Sequence, residues 1–150
     1  MRMGEHPKPR MGTEREVTAH RVAAAIFDAM IIAIMSMAVA PLVGSSILEP
    51  EGSFLVYTVA PVIGFFYYFL LEGFAGQTIG KRILGIAVVK ADGSPCTYLS
   101  SFVRNLLRVV DAMPFFYLVG LAVMALSDRK QRIGDHVAGT VVVKVKGGGR

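Results

Sequence analysis

The sequence predicts an all-α membrane protein with two full transmembrane helices, a short helical hairpin over residues 98–127 and a small cytoplasmic β-pair, 86–89 with 140–143. Three observations point there. The composition is 53% hydrophobic with a mean hydropathy of +0.54, above the apolar share of ordinary soluble domains. Charge is absent from long stretches: Asp28 is the sole charged residue between Val22 and Leu48, and there is none from Gly52 to Leu71 or from Ala112 to Ser127. A bilayer core admits backbone only where its polar groups are paired internally, which takes roughly 20 apolar residues in a helix. Finally, the net charge of +5 sits outside or at the edges of these stretches, as on the cytoplasmic flanks of membrane helices.

Each element follows from local pattern. Residues 1–18 are polar, with Pro7, Pro9, Gly4 and Gly12, and read as a mobile cytoplasmic tail; 19–146 form the membrane domain and 147–150 a flexible end. Helix 1 is expected from His20 to Val43, with Pro41 in its last turn. An A-x-A pattern at Ala38–Ala40 resembles a signal cleavage site, but Pro41 would follow the cut and Asp28 interrupts the apolar run, so the helix is retained. The loop from Gly44 to Ser53 holds Glu49 and Glu51 and no basic residue, which places it outside. Helix 2 is expected from Phe54 to Leu71, closed by Glu72, with its run of Phe and Tyr at the inner interface and Pro61 and Gly64 marking a bend or a close helix contact.

Gly73–Gly93 reads as loop, turn and strand, the strand being the β-type run Ile86–Val89 before the Asp92-Gly93 turn. Tyr98–Asp111 is amphipathic: Leu99, Phe102, Leu106 and Val109 recur at helical spacing, with Arg104, Arg108 and Asp111 on another face. Met113–Leu126 is apolar, and Pro114 breaks the helix between the two halves. A polar turn then leads to a second β-type run, Thr140–Val143. An isolated strand is unstable, so the two runs should pair on one side of the membrane. Exporting Arg129, Lys130, Arg132, Lys144 and Lys146 would also violate the positive-inside rule. Both considerations require an even number of crossings, with the arms at 98–111 and 113–126 forming a shallow hairpin and both termini cytoplasmic.

Ionisable groups in the apolar segments are the candidate site, since each costs several kcal/mol near the bilayer centre (about 2.5–3.5 on insertion scales) unless paired or hydrated. Asp28 lies about two turns into helix 1, with Arg21 on nearly the same face. Arg104, Arg108 and Asp111 form one ridge. The economical arrangement pairs Asp28 with Arg104 or Arg108, and Asp111 with Arg108 or Arg21. Glu72 and Asp135 are possible additional members, the latter capping its own turn or pairing with Arg132 or Lys81. Two uses compete: a carboxylate in a partly wet cavity exchanging a proton for a cation, or a salt bridge that only fixes helix register.

The assembled segments resemble the RDD family of small prokaryotic membrane proteins, named for an arginine and two aspartates. RVAAAIFDA, with Arg21 and Asp28, matches its first motif, and LLRVVD, ending at Asp111, supplies a second aspartate. GQTIGKRILGIAVV and DRKQRIGDHVAGTVVV look like its connecting and closing segments. The resemblance implies a multi-pass protein of a prokaryotic plasma membrane, linked in some members to monovalent cation/proton antiport. The leading expectation is a small monovalent cation/proton transporter working as a homo-oligomer, with Asp28 and Asp111 as the ion- or proton-binding carboxylates and Arg21, Arg104 and Arg108 as their charge partners.

Other chemistries have little support. GQTIGK at Gly76–Lys81 is one residue short of a phosphate-binding loop, and Arg82 stands where a hydroxyl is needed; Lys81 and Arg82 suit lipid headgroups instead. The single cysteine and scattered histidines offer no disulfide and no metal site. No serine has an activating base nearby, and no basic patch interleaved with aromatics suggests nucleic acid. The expectation is therefore a non-enzymatic protein without cofactor. Its partners are the lipid bilayer, monovalent cations or protons, and copies of itself or a larger membrane protein. The alternative is an accessory or scaffolding module whose Arg–Asp pairs only fix helix packing.

Overall fold

Strand β1 (Pro9–Arg10) leads into a 22-residue helix α1 (Thr18–Val39), and a 3-10 turn at Ala40–Val43 takes in Pro41. The computed structural model describes residues 6–43, 58–111 and 131–146. The expected outer loop, the Met113–Leu126 arm with its break at Pro114, and the end 147–150 lie outside the described residues. Helix α2 (Ala60–Ala75) is followed by a helical turn α3 (Ile79–Ile83) and strand β2 (Ile86–Lys90). Helix α4 (Tyr98–Asp111), a second helical turn α5 (Ile133–Val137) and strand β3 (Thr140–Val145) complete the described chain.

Thr18–Leu42 is the one stretch, among the described residues, long and apolar enough to cross a membrane. The second full span expected from the sequence is not confirmed: α2 covers 16 described residues, and the expected start of that helix at 54–57 lies outside the described residues. It also ends later than expected. Gly76, at φ 64°, supplies the left-handed cap, so Glu72 lies inside the helix and not at its close. Pro61 falls in its first turn, where a missing amide costs nothing. Gly64 faces the Ile32 side chain, the close helix contact its small size suggested.

All three long helices are inside out. In α1 the buried residues are Arg21, Ala24, Asp28 and Ser36, while Val22, Ile26, Met30 and Ile34 are exposed. In α2, Tyr67, Tyr68 and Glu72 turn in and Val62, Phe66, Leu70 and Phe74 turn out. In α4, Ser101, Arg104 and Asn105 turn in and Leu99, Phe102 and Leu106 turn out. The core helix of a soluble protein is mostly buried; the apolar window of α1 is only 17% buried. Apolar surface of this extent suits a lipid-facing exterior.

The expected β-pair forms, with Val88 opposite Val142 at its centre and Ile86↔Lys144 to Lys90↔Thr140 at its limits. Its valine runs do not alternate with polar residues because both faces are covered. One face packs Ile86, Val88 and Val142 on Val17, Ala24 and Cys96, and the other carries Val89, Val141 and Val143. A third strand was not anticipated. Pro9 and Arg10, assigned to a mobile tail, pair with Val145 and Lys144, giving the order β1-β3-β2. Thr13 accepts a hydrogen bond from the Lys144 amide at 2.9 Å and Val17 is fully buried. The N-terminal stretch thus covers an edge of β3 that would otherwise stand open.

The chain also folds one motif twice. Gln77–Lys90 and Gln131–Lys144 share the pattern Q-x-I-G-x-x-x-x-G-x-x-V-V-K, and each makes a helical turn followed by a strand. In both, the glutamine Nε2 donates at 2.8 Å to the first strand carbonyl, Ile86 or Thr140. Val88 and Val142 are equivalent in the repeats and opposite in the sheet, so a local two-fold relates the two units.

Candidate functional site

Each repeated turn docks on a long helix through its first glycine. A Cβ at Gly80 would fall within contact distance of the Ala24 carbonyl oxygen and the Asp28 carboxylate. One at Gly134 would lie 2.7 Å from the Arg104 carbonyl oxygen. Glycine at these positions lets the residues that follow enter the helix interface, and those residues are Lys81 and Asp135.

Three carboxylates are buried there, Asp28 and Glu72 at 0% exposure and Asp135 at 2%. Among the described residues Asp28 meets no arginine within ion-pair distance. Its Oδ1 accepts from the Tyr67 hydroxyl at 2.7 Å and the Gly80 amide at 2.8 Å, and its Oδ2 from the Thr78 hydroxyl at 2.7 Å. The expected pair with Arg104 or Arg108 does not form, because α3, once docked through Gly80, brings its own donors to Asp28 first. Glu72 pairs with Lys81 through Oε1, and through Oε2 with Arg104 Nε and Asn105 Nδ2, each at 3.1 Å. Asp135 receives Arg21 Nη2 at 2.6 Å and the Arg132 amide at 3.2 Å on Oδ2, and Arg104 Nη1 lies 3.0 Å from Oδ1.

Among the described residues Arg21 pairs with Asp135, a residue given only a secondary place by its sequence context. The side chain of Asp111 lies outside the described residues. Arg108 stacks on Tyr68, its guanidinium 3.8 Å from the ring centroid. Lys81, expected at lipid headgroups, points inward to Glu72, while Arg82 beside it is exposed. The tyrosines expected at the interface, Tyr67 and Tyr68, are buried in the site. Tyr67, Thr78, Gly80 and Asn105 were not singled out as contributors; the repeated Q-x-I-G signature was the signal that could have found the docking turns.

The electrostatics follow from burial and neighbours. Burial alone would raise the Asp135 carboxyl, yet Arg104 and Arg21 beside it outweigh that and hold it well below the usual carboxylate range. Lys81 is brought down to about 8, chiefly by burial and against the pull of Glu72. Arg132 falls to about 10 through burial and then the repulsion of Arg108, Arg21 and Arg104. Among the described residues no group of histidine, cysteine, aspartate or glutamate could hold a metal ion.

A family model described as the RDD family matches residues 17–139. The uncharacterized protein YckC of Bacillus subtilis (strain 168) is 31% identical over 126 residues, 81% of this chain and 80% of that protein. The uncharacterized membrane protein YteJ of the same organism is 33% identical over 97 residues, 63% of this chain and 57% of its own length. No solved structure matches the chain. The match spans both docking turns, the ion-paired Arg21 and Asp135, and Asp28 between them: the chain belongs to the RDD family, and a membrane location accords with its inside-out helices and with a relative named as a membrane protein.

Proposed function

We propose that this chain is a non-catalytic membrane module whose buried charges fix the packing of its helices, and that it assembles with copies of itself or with a larger membrane protein. One observation carries this: each of the six oxygens of Asp28, Glu72 and Asp135 already has a donor or a cation from the protein. A carboxylate that exchanges ions must give up its partners to do so, and releasing a buried pair costs about 3–5 kcal/mol. The network also joins α1, α2, α3, α4 and α5, elements far apart in sequence, as a packing lock should.

The topology proposed with it is multi-pass, with both ends cytoplasmic. What supports it is that residues 9–10, 86–90 and 140–145 share one sheet, which favours an even number of crossings between them. The basic residues near that sheet favour the cytoplasmic face of a prokaryotic plasma membrane.

A second reading, monovalent cation/proton exchange through Asp28 with Asp111, draws support from Asp28 lining a polar cleft. Reconstitution in proteoliposomes carrying a pH-sensitive dye separates the two. The packing module predicts no dissipation of a pH gradient on adding sodium or potassium. Cation-dependent dissipation that Asp28→Asn abolishes in a folded protein overturns it in favour of exchange.

A further inference from the structure

The half-open polar cleft beside Asp28 is lined by five cations, Arg21, Lys81, Arg104, Arg108 and Arg132. Counting Glu72 and Asp135 behind them and Asp28 in the wall, five cations face three carboxylates among the described residues, an excess of two positive charges. The carboxylate charge is committed elsewhere. Asp28 is held by Tyr67, Thr78 and Gly80, Glu72 by Lys81 and Arg104, and Asp135 by Arg21 and Arg104. Arg108 and Arg132 have no carboxylate within ion-pair distance among the described residues. A polar cleft in which the described cations outnumber the described carboxylates favours an anion.

From this geometry we infer that the cleft binds a phosphate-type dianion, either a free phosphate or the phosphomonoester headgroup of an anionic lipid. Guanidinium forks converge from α1, α4 and the start of α5, and such forks match tetrahedral oxyanions bidentately where a carbonyl or water would not. A dianion offsets the positive excess counted among the described residues. The repulsion among Arg132, Arg108, Arg21 and Arg104 that lowers Arg132 is relieved when the anion sits between them. The site leaves the packing role of the carboxylates intact, and it stands whether or not the proposed assembly function does.

The test uses the full chain purified in maltoside micelles, with thermal unfolding followed as inorganic phosphate replaces chloride at constant ionic strength. A parallel arm uses phosphatidylcholine nanodiscs with or without phosphatidic acid. Saturable stabilisation by inorganic phosphate assigns a soluble oxyanion, and stabilisation by phosphatidic acid alone assigns a lipid headgroup. Either supports the site. Binding should weaken below about pH 6, where a phosphomonoester takes up its second proton. Arg132→Gln should weaken binding roughly tenfold, and Arg132→Lys, which keeps the charge and loses the fork, by several-fold. No stabilisation in either arm overturns the proposal, as does stabilisation that Arg132→Gln and Arg132→Lys both leave unchanged.

Discussion

Asp28 shows what a buried carboxylate demands of its surroundings. It takes two hydroxyl donors and one amide where the sequence suggested an arginine. Replacing it by alanine strands three donors, each at roughly 1–3 kcal/mol. Asparagine keeps a carbonyl for Tyr67 and Gly80 and turns its amide to Thr78, so Asp28→Asn should cost only about 1–2 kcal/mol through the lost charge assistance. Equilibrium unfolding in mild detergent distinguishes the two, and equal losses would contradict the assigned bonds. Asp135 makes a pH prediction. Its carboxyl is held below the unfolded value of 3.8, so its stabilisation is fully present above that pH and fades as pH falls below it. The melting temperature of the parent should therefore drop faster than that of Asp135→Asn on acidification below about pH 4. Parallel acid profiles would contradict the pairing with Arg21 and Arg104. None of these partners was legible from spacing along one helix, because each arrives from an element distant in sequence.

At the scale of elements, the docking turns depend on glycine. Gly80→Ala inserts a methyl group against the Ala24 carbonyl and the Asp28 carboxylate, where backbone must move. Overpacking of this kind costs typically 1–3 kcal/mol, and the melting temperature should fall accordingly; an unchanged value would mean that α3 does not sit against α1 so closely. The helix α4 was legible from its start at Tyr98, because proline and polar residues precede it and its apolar positions recur at helical spacing. Which face turns inward was not legible. Amphipathicity fixes two faces but not the solvent, and here Arg104 and Asn105 are buried while Leu99 and Phe102 are exposed. Leu99→Glu, on that outer face, should leave the buried network untouched and reduce recovery in the membrane fraction. Unaltered membrane recovery would count against a lipid-facing α4.

For the molecule as a whole, the β-pair was predictable from two valine-rich runs that needed a partner, and the sheet confirms it. The third strand was not, since Pro9–Arg10 has no strand pattern and gains its conformation only from the free edge of β3. The repeat of Gln77–Lys90 in Gln131–Lys144 was written in the sequence and becomes visible once the two strands are seen face to face. Arg21 and Asp28 in α1 have the same spacing as Arg104 and Asp111 in α4, so the duplication extends to the long helices. Arg21 and Arg104, the equivalent arginines, both end on Asp135, which ties the two halves together at one point. A lock at that point is the centre of the account. A double-mutant cycle on Arg21→Met and Asp135→Asn, read by unfolding in detergent, tests it most directly. The account predicts that each single variant is strongly destabilised and that the pair is coupled by about 0.5–3 kcal/mol. Strictly additive losses would contradict it.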